Sequence, residues 1–276
     1  MGKQFRLATG VIALGTAAYA LAVRPRMLTA GATDAELAEQ YPGADLIPGG
    51  RRGGTMAATI DAPPSAVWPW LVQMGCDRAG WYSWDRLDNA GVPSAESIRP
   101  EWQEVEVGDH WACVPSGTVW FEVAAVEPER FLALRAPFDL KRGHPFDTAG
   151  PRPRMYNDGL WCFLLTELPG NRTRLVVSGY GADRPHALVA LQNFLFWEPA
   201  HWIMQRRQFK NLRRRAERGP RAEAARLASG HDVRYTHRVL AERDRPLGAA
   251  RGDETTRTGR APVGGWGRHA PLPRGR

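Results

Sequence analysis

Cysteine is scarce in this 276-residue chain: Cys76, Cys113 and Cys162 are the only three, and no two form a CxxC pair. That excludes a disulfide framework. The seven histidines are scattered, with no HExxH or comparable spacing for a metal. Also missing are the GxSxG elbow, the Walker loop and the SxxK motif. Gly179-Tyr180-Gly181 is not a dinucleotide fingerprint, because no GxGxxG leads from a strand into a helix. Lysine occurs three times against 34 arginines, a bias general enough to reflect coding composition. No internal repeat is visible.

What is present is a core-forming chain, 43% apolar and 24% charged with mean hydropathy −0.41. Wholesale disorder is thereby excluded. Eleven tryptophans stand out. Of the net charge of +8, +6 lies in residues 219–276, so the basic character belongs to a tail. The charge count gives no reason to expect nucleic-acid binding, and no stacking platform adjoins the basic run Arg206–Arg221. A solvated helix end or contact with anionic lipid are the readings of that run.

Residues 7–23 (LATGVIALGTAAYALAV) hold no charge, and Lys3, Arg6, Arg24 and Arg26 flank them. As a helix they span about 26 Å, slightly short of a ~30 Å hydrocarbon core. The segment is expected to be an uncleaved single-pass anchor in preference to a cleaved signal, with the following domain weakly preferred on the extracytoplasmic side. Four regions follow: 1–26 as anchor or signal, 27–54 as a tether, 55–218 as a folded domain and 219–276 as a disordered basic tail.

Thr33-Asp34-Ala35-Glu36 offers a capping box for a short helix in the tether. Thr55–Asp61 alternates as a strand, and Ser65–Met74 reads as a helix stopped by Gly75. A short helix begins near Ser83. Thr118–Val126 turns into Phe131–Ala136, and Gly159–Leu168 turns into Thr173–Tyr180, which makes two antiparallel hairpins. Residues 137–153 are rich in Pro and Gly and read as a mobile loop. A long helix over about 184–218 carries Leu188, Leu191, Leu195, Trp202, Phe209 and Leu212 as one apolar stripe, with Pro199 within it.

This order, with TIDAPPSAVWPWLVQMG (59–75), RAGWYSWDRLDN (78–89), PEWQ (100–103), VGD (107–109), VEPERFLAL (126–134) and EPAHWIMQRR (198–207), resembles the START-like superfamily. That superfamily is also called SRPBCC or polyketide cyclase/dehydrase-like, and the resemblance is to an actinobacterial membrane-anchored branch of unassigned activity. It covers roughly 55–218. It implies an α+β helix-grip fold, an antiparallel sheet wrapped round a long C-terminal helix, with an apolar cavity for lipids, polyketides or other hydrophobic small molecules. No cofactor and no metal are implied.

The candidate ligand-binding residues are Trp81, Tyr82, Trp84, Trp102, Trp120, Trp161, Phe163, Trp197 and Trp202, since such pockets are aromatic with few polar groups. Trp120 and Phe121 are neighbours on a strand, so only one points inward. Glu198 and His201, one helical turn apart, are the weak candidates for an acid–base pair. Asp85 and Asn89 read as braces, and Cys76 and Cys113 as small buried hydrophobes. Three functions stay open: a membrane-anchored binding or transfer protein for a hydrophobic molecule, a polyketide cyclase, aromatase or dehydratase-like enzyme, and a non-catalytic structural or interaction protein. The balance leans against an enzyme.

Overall fold

The structure is a computed structural model that describes residues 10, 11 and 13–219. The tail from residue 220 and residues 7–9 and 12 of the expected anchor lie outside the described residues. Helix α1 covers 13–28, residues 10 and 11 also being helical, with a π turn at Tyr19–Val23 and α geometry over Arg24–Leu28. There follow α2 (Asp34–Ala38), β1 (Arg51–Arg52), β2 (Met56–Ile60), α3 (Pro64–Val72) and α4 (Asp85–Asp88). Then come β3 (His110–Ala112), β4 (Trp120–Glu127), β5 (Phe131–Asp139), β6 (His144–Pro145), β7 (Tyr156–Leu168), β8 (Arg172–Ser178) and β9 (Tyr180–Arg184). The chain closes with α5 (His186–Gln192), a π turn over Asn193–Trp197 and α6 (Glu198–Ala216).

All strand pairs are antiparallel, in the order β1-β9-β7-β5-β4-β3, with β8 beside the second half of β7 and β2 outside β8. Strands β8 and β9 follow one line along β7 and are separated by Gly179. A Cβ at Gly179 would stand 1.9 Å from the Leu160 carbonyl oxygen, so only glycine allows the backbones to meet there. The expected hairpins are present, β4–β5 and β7–β8. Strand β5 continues to Asp139, however, and pairs with β6, so residues 137–153 are not loop throughout. The Asp139 carboxylate accepts the amides of Lys141 and Arg142 and closes that turn.

One face of the sheet holds α6. Leu132, Leu134, Phe163, Leu165, Leu175 and Val177 pack there with Phe209, Leu212 and Ala216 of the helix. This is the helix-grip arrangement, α+β with the long C-terminal helix across a bent antiparallel sheet. Helix α3 starts on Pro63-Pro64, where a missing amide costs nothing. It packs Val67, Trp70 and Leu71 into the same core.

The opposite face is covered by residues expected to be a tether. Tyr41 and Ile47 are buried against Ala57, Phe131, Ala133, Leu160, Cys162 and Val176. The Tyr41 hydroxyl lies 2.9 Å from the Val176 carbonyl oxygen and 3.1 Å from that of Cys162, and Tyr180 donates to the Tyr41 carbonyl. The capping box forms as expected, and the Glu36 carboxylate is gripped by Arg174 at 2.7 and 2.8 Å. The Arg174 hydrogen bond is the main reason the Glu36 carboxyl falls to about 2. Residues 30–50 are thus a layer of the fold. Isolated apolar residues among glycines and prolines hide that in the sequence.

Candidate functional site

Side chains on the helix-facing side of β5 and β7 change character along the strands. Phe163 and its partner Leu132 are fully buried, and so is Leu134. Beyond them Trp161, Ala136, Gly159, Phe138 and Asn157, on the same face, are only half-buried. Helix α6 shows the same gradient: Leu212 is 0% and Phe209 8% exposed, Trp202 is half-buried, and His201 is exposed. The helix therefore buries the sheet under its C-terminal half and leaves a partly covered gap along its N-terminal half.

A chain of amides marks the boundary. The Trp161 indole N–H donates to Gln205 Oε1 at 3.2 Å, Gln205 Nε2 donates to Gln208 Oε1, and Gln208 Nε2 donates to the Trp81 carbonyl. Gln205 and Gln208 are 1% and 2% exposed and fully engaged. A satisfied polar relay of this kind fixes the helix on the sheet and forms the floor of the gap.

His201 stands over this floor, its ring 6.1 Å from that of Trp161 and edge-on to it. Surrounding protein lowers its pKa through desolvation. Trp161 also meets Trp81 at 5.6 Å, Phe121 at 5.8 Å and Phe163 at 4.8 Å between ring centroids.

The expected acid–base pair does not assemble. Glu198 is held in a bidentate ion pair by Arg24 of α1, at 2.5 and 2.7 Å. His201 has no hydrogen bond to it among the described residues. With its carboxylate committed to a guanidinium, Glu198 cannot act as the base for His201.

The other expected residues divide. Trp161, Phe163 and Trp202 are on the gap or beneath it, and Phe121 is the inward residue of its strand. Trp120 is on the opposite face, where it stacks on His110 at 3.8 Å, because its register partner Ala112 alternates with the inward Trp111. Trp81 is almost wholly buried under the floor, its N–H donating to Cys76 Sγ. Tyr82 is fully buried, its hydroxyl accepting from Gln73 and its ring beneath Arg215, so it does not cap a mouth. Trp84 is exposed under Arg207, with the guanidinium 4.6 Å from the ring. Trp102 packs half-buried on the core, and its carbonyl accepts from Arg78. Trp197 is exposed on the outside of the π turn.

Asp85 accepts from Ser94 and Asn89 donates to the Val92 carbonyl, so both act as braces. Burial raises the three thiols, Cys113 to about 11 and Cys162 to about 12, so at neutral pH none of them is an activated nucleophile. Much of the basic run is used internally. Arg214, Arg215 and Arg218 converge on the Glu96 carboxylate at 2.7–2.8 Å. Among the described residues no group of His, Cys, Asp and Glu is placed to hold a metal.

Sequence reasoning missed Ala136, Phe138, Asn157 and Gly159, which edge the gap, and Arg24, which neutralises Glu198. Strand alternation outward from Trp161 could have found Gly159 and Asn157. Nothing local marks a partner 174 residues away.

No family model matches the chain, and no curated protein matches it. Among solved structures, a protein from Arthrobacter aurescens is 18% identical, over 58% of this chain and 85% of its own, with a TM-score of 0.34. CalU16 from Micromonospora echinospora is 16% identical over 62% and 91%, with a TM-score of 0.30. DynU16, from the dynemicin biosynthetic locus, is 20% identical over 60% and 47%, with a TM-score of 0.34. At such scores the likeness carries no argument about activity, and the helix-grip description rests on the strand order and core given above.

Proposed function

We propose that this chain binds a hydrophobic small molecule or lipid in the gap between the N-terminal half of α6 and the sheet. We further propose that residues 7–23 hold it at a membrane. One observation carries the binding reading: the facing surfaces of helix and sheet pass together from fully buried to accessible at the Trp161–Gln205 boundary. The walls of the gap are aromatic and aliphatic, with His201 and Asn157 as the few polar groups, which suits an apolar guest with one polar end. No helix among the described residues is long and apolar enough to cross a membrane. The anchor reading therefore rests on the charge-free run, and contact of exposed arginines near Arg206 with anionic lipid accompanies it as a proposal.

Native mass spectrometry of the purified full chain, with titration by an environment-sensitive hydrophobic dye, tests the function. Saturable binding of one dye per chain, displaced by fatty acids or polyketide-like aromatics, is expected. A protein that is empty and indifferent to both would overturn it.

A further inference from the structure

The apolar stripe written into the last helix does not stay on one side of it. The π turn over Asn193–Trp197 adds a residue to the helical repeat and rotates what precedes it. N-terminal to that turn Val189 is the buried position of α5, while Leu188 and Leu191, and Leu195 within the turn, are 52%, 56% and 66% exposed. Phe196, Trp197 and Ile203 are exposed as well, and Arg206 and Lys210 follow on the solvent side of α6. Residues 185–197 carry no charge apart from a titratable His186, and the first acid after them, Glu198, is neutralised by Arg24.

The same ion pair joins this face to α1. The Tyr19 hydroxyl donates to the Phe194 carbonyl, and the Tyr19 and Phe194 rings meet edge-on at 4.9 Å. Val11 and, on α1, Leu14 and Leu21 are exposed as well. Two charge-free helical stretches thus converge, each ending at the Arg24–Glu198 pair.

We infer that the outward face of α5 and its π turn lies in the head-group boundary of a lipid bilayer, beside the anchor segment. A bilayer fits better than a second protein for two reasons. The patch is continuous with a charge-free segment of near-membrane length, and a cationic border follows it where anionic head groups would lie. The twelve residues 186–197 span only about 18 Å and are tied at both ends to β9 and α6, so they rest in the interface and do not cross it. His201 and the open end of the gap are one turn beyond this face. Given the binding function proposed above, the guest is then an amphiphile that passes directly between bilayer and gap.

The test uses the full chain carrying Leu195→Cys labelled with a polarity-sensitive nitrobenzoxadiazole dye, with Glu129→Cys in the exposed β4–β5 turn as the control site. Unsubstituted protein is labelled in parallel. Both are mixed with phosphatidylcholine–phosphatidylglycerol vesicles. The expected result is a blue shift at residue 195 and none at 129, lost in Leu188→Glu/Leu191→Glu with an unchanged melting temperature, and weaker on pure phosphatidylcholine. Three results overturn the inference: an aqueous spectrum at 195 on vesicles that have captured the protein, no capture at all, or a concentration-dependent blue shift without lipid, which identifies a second copy as the occupant. Dye binding in the gap is measured separately, so its failure refutes the binding function and leaves the membrane face standing.

Discussion

Gly159→Leu distinguishes an open gap from a packed core more sharply than any change in the buried half. Gly159 pairs with Ala136 on β5 and Gly181 on β9, on the face that looks toward α6. Its backbone is not in the left-handed region, and the only atom a Cβ would meet within 4 Å is the Tyr180 carbonyl oxygen, at 4.0 Å. A side chain therefore enters without backbone strain. Replacing a strand glycine recovers about 0.5–1 kcal/mol of backbone entropy, and the new leucine covers apolar wall on Trp161 and Phe138. Chemical denaturation should show the variant as stable as the parent or up to about 1 kcal/mol more stable. A guest that shares the space should bind at least about tenfold more weakly, roughly 1.4 kcal/mol. Phe163→Ala, four residues along in the packed half, should instead cost about 3–5 kcal/mol. If Gly159→Leu loses the roughly 1–3 kcal/mol typical of overpacking, or leaves dye affinity unchanged, the reasoning about the gap is wrong.

Three further outcomes follow from the same packing. Glu36→Gln should cost about 1–3 kcal/mol at pH 7, because Arg174 stabilises the ionised form; that contribution is present above the unfolded carboxyl range and is lost as pH falls toward about 2, so parent and variant should converge in acid. Asp88, pushed up to about 6 chiefly by burial, behaves oppositely: its folded pKa is raised, so stability is lost as pH rises through 6. Asp88→Asn should therefore stabilise by about 1–3 kcal/mol at pH 7 and by nothing measurable below pH ~4, read from thermal melts across pH. Gly179→Ala should unfold the domain or lower its melting temperature severely, since the added carbon collides with the Leu160 carbonyl oxygen at 1.9 Å; an unperturbed melt would refute the close approach of β7 to the β8–β9 line.

Local chemistry made part of this fold readable. The Thr33–Glu36 capping box and the two hairpins are short-range signals and formed where the residues indicated. Long-range partnerships were not readable. Tyr41 and Ile47 look like linker residues until the sheet gives them a surface. The leucines of α5 read as core because a 3.6-residue repeat was assumed, and the π turn breaks that phase. Glu198 looked like the partner of His201 because the two are one turn apart, whereas a guanidinium 174 residues earlier claims the carboxylate. Trp120 was misplaced for a simpler reason: alternation says that one of two adjacent aromatics points inward, and only the pairing with Trp111 and Ala112 decides which.

Photo-crosslinking of the full chain with a diazirine-bearing fatty acid, followed by peptide mapping, tests the central claim most directly. The account predicts adducts on the strand residues from Ala136 to Phe138 and from Asn157 to Trp161, and on the helix around His201, all suppressed by Gly159→Leu. Adducts confined to the outer faces of α1 and α5, with none between helix and sheet, would contradict it.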